Sequence, residues 1–253
     1  MEALIARFRE YAASFKGADA LCDLNIDLKL EHTLHVLDET RALCAAEKLD
    51  ARPSRLAGFV ALLHDLSRFE QFKQSGSFND AKSFDHGDRS VELAARDGWV
   101  RTLEHRDAEA VLTAVCWHNK LAVPDDLSPD AALLTRVIRD ADKLDSMRVL
   151  LDHLAHPEKN PAVTFSMDGK PRVTDAVAEA LAAGRQVGHA DMRPAVDFTA
   201  ATLAWVRDLN FAWSRHEFLR RGFIGEVMKH LPADERLARA AAAAEALCRD
   251  GEV

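Results

Sequence analysis

Several things are scarce in this sequence. Its four cysteines, Cys22, Cys44, Cys116 and Cys248, lie far apart with no C-x-x-C among them. That spacing argues against a thiolate zinc site or a disulfide framework and leaves reduced thiols as the expectation. No apolar run approaches the roughly 20 residues that would span a bilayer, so no membrane partner is expected. Few stretches alternate with period two, which argues against a sheet-based fold, and no internal repeat is visible. Positive charge is also short: 33 Lys and Arg against 41 Asp and Glu give a net charge of −8. No nucleic-acid polymer is therefore expected as partner, and an anionic substrate would need a local cationic pocket.

What is present is helical periodicity. At 253 residues, 48% of them hydrophobic, the chain is long enough to bury a sizeable core. The N-terminal "MEALIARFREYAASF" is amphipathic and carries acids, so it reads as a first helix rather than a secretory leader, and a cytoplasmic location is expected. Apolar spacing predicts helices over 2–15, 30–48, 54–72, 87–97, 106–119, 130–155, 174–187, 195–210, 213–231 and 234–249. Ser54 and Thr174 stand where N-caps would, and Pro129 falls near a first turn. The irregular stretches are 73–88 and 156–174, and Asp168-Gly169 in the second could turn a short hairpin. The expectation is one all-α domain over 1–253, with a core at 20–155 and a C-terminal helical extension at 156–253. The extension is a candidate surface for a homo-oligomer.

Histidine makes the sequence specific. His32 in "LEHTLHVL", His64-Asp65 in "LLHDLSR", His86 in "FDHGD", His118 in "CWHNK" and Asp142 in "RDADKLDSM" fall on different predicted helices or at helix mouths. Singly, each has a bland explanation as a packed or solvated residue. Together they are ligand types that facing helices can turn into one interior cluster. Imidazole and carboxylate suit divalent transition ions.

The order H…HD…D, carried by His32, His64-Asp65 and Asp142, resembles the HD-domain superfamily of metal-dependent phosphohydrolases. "HTLHVL" looks like the first motif helix, "ALLHDLSRFEQF" the paired-ligand helix and "IRDADKLDSMRVL" the last, so the likeness covers roughly 30–155. It implies an all-α HD bundle with His32, His64, Asp65 and Asp142 as metal ligands. His86 and His118 resemble the extra histidines of members that bind a second ion, with Asp65 bridging. Two divalent ions (Fe, Mn, Zn, Ni or Co) and a small phosphorylated substrate are then expected, hydrolysed by a metal-activated water. Asp65, Arg68 and Lys143 are the catalytic candidates. Arg68, four residues after His64, would sit one helical turn away as a phosphate clamp. The H-D-L-S-R sequence and the lack of G-Y-P disfavour cyclic dinucleotides as substrate. Two alternatives stay open. Some HD-fold proteins use the same ligand order for a mixed-valent di-iron oxygenase, and a nucleotide-sensing module without turnover would keep the same pattern.

Overall fold

The computed structural model describes residues 1–17, 19–160, 172–188, 191–193 and 195–249, and among these all regular structure is helical. The hairpin expected around Asp168-Gly169 lies outside the described residues. No helix among them is long and apolar enough to cross a membrane. The chain divides into two compact units, Met1–Asp145 and Ser146–Val253.

The first unit holds α1 (Glu2–Ala13), α2 (Ala20–Ala46), α3 (Ala51–Leu63), α4 (Arg68–Ser75), a 3-10 turn (Asp80–Lys82), α5 (His86–Arg96), α6 (His105–Trp117) and the larger part of α7 (Pro129–Ala155). Every residue of α3 from Leu56 to Leu63 is buried, the mark of a helix surrounded by others rather than lying on a surface. It packs against α2 and α6, and α5 packs on α6. Asp19 caps α2 by accepting from the Cys22 amide at 2.8 Å, which starts that helix ten residues ahead of the apolar signal at 30. Phe8 of α1 meets Phe69 of α4 edge to face at 5.6 Å between ring centroids. Each fully buried ring of this kind contributes roughly 1.5–3 kcal/mol.

The helix expected over 54–72 is two helices. It starts at Ala51, so Ser54 lies inside it and donates to the Leu49 carbonyl at 3.2 Å instead of capping. It stops at Leu63, because the His64 ring takes the Ala61 carbonyl at 2.8 Å that the Asp65 amide would need. The backbone then tightens into three-residue turns, Leu66 N to Leu63 O at 3.2 Å and Arg68 N to Asp65 O at 3.0 Å. The Ser67 amide leaves the ladder for Ser90 Oγ at 3.1 Å. His64 and Asp65 therefore sit on a buried turn.

In the second unit α12 (Glu235–Arg249) packs against α8 (Asp175–Ala182), a 3-10 stretch (Thr202–Asp208), α10 (Ala212–Arg220) and α11 (Phe223–Lys229). Its buried face is Leu237, Ala240, Ala241, Ala244 and Cys248, mostly small side chains that admit close neighbours. The helix expected over 213–231 breaks at Gly222, whose φ of +70° is left-handed. The one expected over 195–210 tightens after Ala201, the end of α9 (Ala195–Ala201), into the 3-10 stretch. Asp197, fully buried, accepts from the Thr174 amide and hydroxyl at 2.8 and 3.0 Å and from the Arg193 amide at 3.1 Å.

Candidate metal centre

The six ligand-type residues of the sequence reading converge inside the first unit. His32 comes from the middle of α2, His64 and Asp65 from the turn after α3, and His86 is the first residue of α5. His118 follows the last residue of α6, and Asp142 projects from α7. All but Asp142 are buried.

Asp65 stands between two groups, and its two oxygens face different histidines. Oδ2 lies 3.7 Å from both His32 Nε2 and His64 Nε2. Asp142 Oδ1 closes that side, 3.2 Å from His32 Nε2 and 3.9 Å from His64 Nε2. Oδ1 lies 3.6 Å from His86 Nε2 and 3.9 Å from His118 Nε2. His32, His64 and Asp142 form one set whose ligand atoms all lie within 4.8 Å of one another, and His64, Asp65 and His118 form another.

Each ring is held from behind by its Nδ1. His64 Nδ1 donates to the Ala61 carbonyl at 2.8 Å and His118 Nδ1 to the Val115 carbonyl at 2.6 Å. A carbonyl only accepts, so in both rings the hydrogen is on Nδ1 and the neutral ring presents a lone pair at Nε2. His32 Nδ1 meets Asp145 Oδ2 at 2.7 Å and His86 Nδ1 meets Asp80 Oδ2 at 2.6 Å, so each side of the centre has one carboxylate-oriented and one carbonyl-oriented histidine. The four Nε2 atoms thus turn toward two carboxylates. His64 Nε2 is fully buried without a hydrogen-bond partner, and His86 Nε2 and His118 Nε2 lie 3.0 Å apart. Acceptors facing acceptors in a dry interior are costly unless a cation joins them.

Charge follows the same pattern. Burial lowers the pKa of His64, and that of His118 falls well below its usual value through burial and the neighbouring His86 and His64. Burial and Lys29 work against charging His32, but Asp142 and Asp145 outweigh them and raise it. Burial would raise Asp65, yet Lys29, His64, Arg68 and His86 hold it well below the usual carboxylate range. Asp142 is likewise depressed by His32 and His64 against the effect of burial.

Two of the expected catalytic side chains are placed differently from their assigned roles. Arg68 opens α4 instead of following His64 on one helix, and its guanidinium is buried with protein partners instead of open to a phosphate. It donates to Gln71 Oε1 at 2.6 Å, the Phe78 carbonyl at 2.7 Å, Asp80 Oδ1 at 2.8 Å and Asp65 Oδ1 at 3.3 Å. Lys143 reaches back along α7 to the Arg139 carbonyl at 3.4 Å. A second cation against the centre is Lys29, with Nζ 2.7 Å from Asp65 Oδ2.

Sequence reasoning passed over Lys29, Asp80 and Asp145. Lys29 and Asp145 stand three residues from His32 and Asp142 on continuous helices, a spacing that brings side chains to one face and could have found them. Asp80 lies in a stretch with no periodicity to read. Asp85, beside His86, caps α5 by accepting from the Asp88 amide at 3.0 Å.

The fold and site define a helical domain with His/Asp groups that could hold a metal ion. Residues 30–147 match the family model of the HD domain, and this segment of the chain is an HD domain, a family made up largely of metal-dependent phosphohydrolases. No curated protein and no solved structure matches the chain.

Proposed function

We propose that the chain is a metal-dependent phosphohydrolase acting on an ester or anhydride bond of a nucleotide or other small phosphorylated metabolite. His32, His64, Asp65 and Asp142 would hold one divalent ion, and Asp65, His86 and His118 a second. Four imidazole nitrogens turned on two carboxylates carry this reading, above all the unpartnered, fully buried His64 Nε2. Divalent ions there would supply an acidified water and Lewis-acid charge for a phosphoryl oxygen.

The chain's own residues have distinct tasks in this scheme. Asp65 spans both groups, and its depressed pKa keeps it an acceptor-only carboxylate. Asp145 and Asp80 fix the orientation of His32 and His86. Lys29, at the Oδ2 edge of Asp65 and with its side chain 17% exposed, adds positive charge where a phosphoryl oxygen would approach. A water nucleophile also agrees with the local side chains. The Ser67 hydroxyl is buried and donates to the His86 carbonyl at 2.8 Å. Burial and Asp88 push the Cys116 thiol up to about 11, so neither is an activated nucleophile.

Metal analysis of the purified protein, then a phosphatase and phosphodiesterase panel with the metal found, tests the proposal. Asp65→Ala should lose both metal and turnover; activity persisting with unchanged metal content would falsify it. Iron with an electron paramagnetic resonance signal on partial reduction, together with oxygen consumption, would point to an oxygenase instead. Tight nucleotide binding with no turnover under any metal would point to a sensing module.

A further inference from the structure

Arg68 is fixed at the edge of the centre with two of its nitrogens aimed inward. Its Nη1 is tied to Gln71 Oε1 at 2.6 Å, the Phe78 carbonyl at 2.7 Å and Asp80 Oδ1 at 2.8 Å. That grip sets the plane of the guanidinium. Nε then lies 3.3 Å from Asp65 Oδ1 and Nη2 lies 3.2 Å from His86 Nε2. These are two of the three atoms assigned above to the second ion, the third being His118 Nε2.

The two halves of the centre consequently differ in charge. The His32–His64 half has two carboxylates, Asp142 and the shared Asp65. The His86–His118 half has the shared carboxylate, two imidazoles and a guanidinium, with Asp80 behind Arg68 and His86 as Asp145 stands behind His32, so what it lacks is a counterpart of Asp142. Lys29 touches Asp65 Oδ2 at 2.7 Å in the first half and lies over the Phe78 ring at 5.2 Å, but it is held there by one hydrogen bond at the end of an unbranched chain, which can turn away more readily than a guanidinium tied by several. Arg68 cannot, because three acceptors hold it from behind.

Resting on the metal-centre reading, we propose that Arg68 is a resident cation of the second half. The centre takes one divalent ion tightly at His32, His64, Asp65 and Asp142, and a second at His86 and His118 only against the fixed charge of Arg68. With one ion bound, the guanidinium neutralises Asp65 Oδ1 and donates to His86 Nε2, so much of the second half is compensated without metal and His118 Nε2 remains as an acceptor facing another. A second ion must displace those contacts and withstand a like charge at close range. The number of ions bound then depends on the free metal concentration, with Arg68 setting the threshold.

Titration of metal-free protein with Mn²⁺, followed calorimetrically and by the signal of unbound Mn²⁺, tests this. Wild type should bind one ion tightly and a second at least about tenfold more weakly. His118→Ala should lose the weaker ion and keep the tighter. Arg68→Gln should strengthen the weaker ion by about tenfold or more and leave the tighter within about threefold, and Arg68→Lys should fall between. Two ions of equal affinity in wild type, or a second ion weakened in Arg68→Gln, would overturn the role given to Arg68 while leaving the metal centre intact. Circular dichroism identifies an Arg68 variant that fails to fold, and the wild-type and His118→Ala titrations then decide. No Mn²⁺ bound by wild type, or a tight ion retained in Asp142→Asn, would overturn the ligand assignment itself and the inference with it.

Discussion

Lys29 Nζ lies 2.7 Å from Asp65 Oδ2, the oxygen that faces His32 and His64. The pair puts a partly exposed cation, its side chain 17% exposed, against a buried anion, on the side where the proposed negatively charged substrate would arrive. Lys29→Gln is expected to lower kcat/KM toward the preferred phosphorylated substrate by about 10- to 100-fold, with the fall in kcat, because the charge is needed most as it develops on the phosphoryl oxygens. Steady-state kinetics at saturating metal measure this. An unchanged kcat with a raised KM would make Lys29 a binding residue only.

Asp145 acts through His32. Its Oδ2 is 2.7 Å from Nδ1 and the side chain is buried, so it sets which ring nitrogen carries the hydrogen. Asp145→Asn keeps the size but drops the charge, and should weaken the tighter ion by about 10- to 100-fold. Asp80→Asn, behind His86 at 2.6 Å, should instead affect the weaker ion. Mn²⁺ titrations of the two variants give the comparison, and indistinguishable effects would mean that the halves are not supported separately.

Gly87 of α5 packs tightly on the C-terminal end of α6. A Cβ there would lie 2.6 Å from Asn119 Oδ1 and 3.0 Å from the Cys116 carbonyl oxygen. The asparagine can move, but the backbone carbonyl cannot. Gly87→Ala should therefore wedge the helices apart, costing about 1–3 kcal/mol and spoiling the approach of His86 to His118. A lower melting temperature together with loss of the weaker ion alone is expected; a variant with normal stability and full metal content would refute the wedge.

The all-α class and the family were legible because both are written locally, in helical apolar spacing and in short motifs whose ligand types sit at helix ends. Where a side chain overrides the ladder, periodicity fails. "LLHDLSRFEQF" reads as one helix, yet the His64 ring takes a backbone carbonyl and ends α3. Arg68 was consequently placed by a helical-turn rule that does not hold across the break. Asp80 was invisible for a different reason, since its partnership with His86 is made by an aperiodic loop closing on a helix start. Lys29 and Asp145 were within reach of the i,i+3 rule, since each lies one turn from a ligand-type residue, but neither stands in a motif of its own.

In the second unit Glu217 offers a pH test separate from the centre. It accepts from Arg220 at 2.8 and 2.6 Å and from Arg221 at 2.9 Å, and the Arg220 hydrogen bonds lead in pulling its pKa from 4.5 to about 2. A carboxylate depressed in the folded state stabilises above its unfolded pKa and loses that contribution as pH falls through the folded one. Glu217→Gln should cost about 1–2 kcal/mol at neutral pH, discounted because Arg220 is largely exposed. The gap between wild type and variant should close between pH 4.5 and about 2. Urea unfolding across that range reads it, and a gap that stays constant with pH would assign the cost to packing.

Removing metal should act on the fold as well as on turnover. The proposed ligands come from α2, the turn after α3, α5, the end of α6 and α7, so an ion held by the folded chain and not by the unfolded one would tie those elements together. At an ion concentration about 100-fold above Kd the linkage is worth about 2.7 kcal/mol. For a chain of this size that corresponds to a melting shift of roughly 5–10 °C. A chelator should therefore lower the wild-type melting temperature by about that much and leave Asp65→Ala, already without metal, unmoved. Because the ions would join lone pairs that otherwise face one another, chelated wild type should keep its helical circular dichroism below the transition while losing order around His64 and His118. Nitrogen-labelled imidazole resonances that stayed sharp and unshifted on chelation would place the bound metal somewhere other than this cluster.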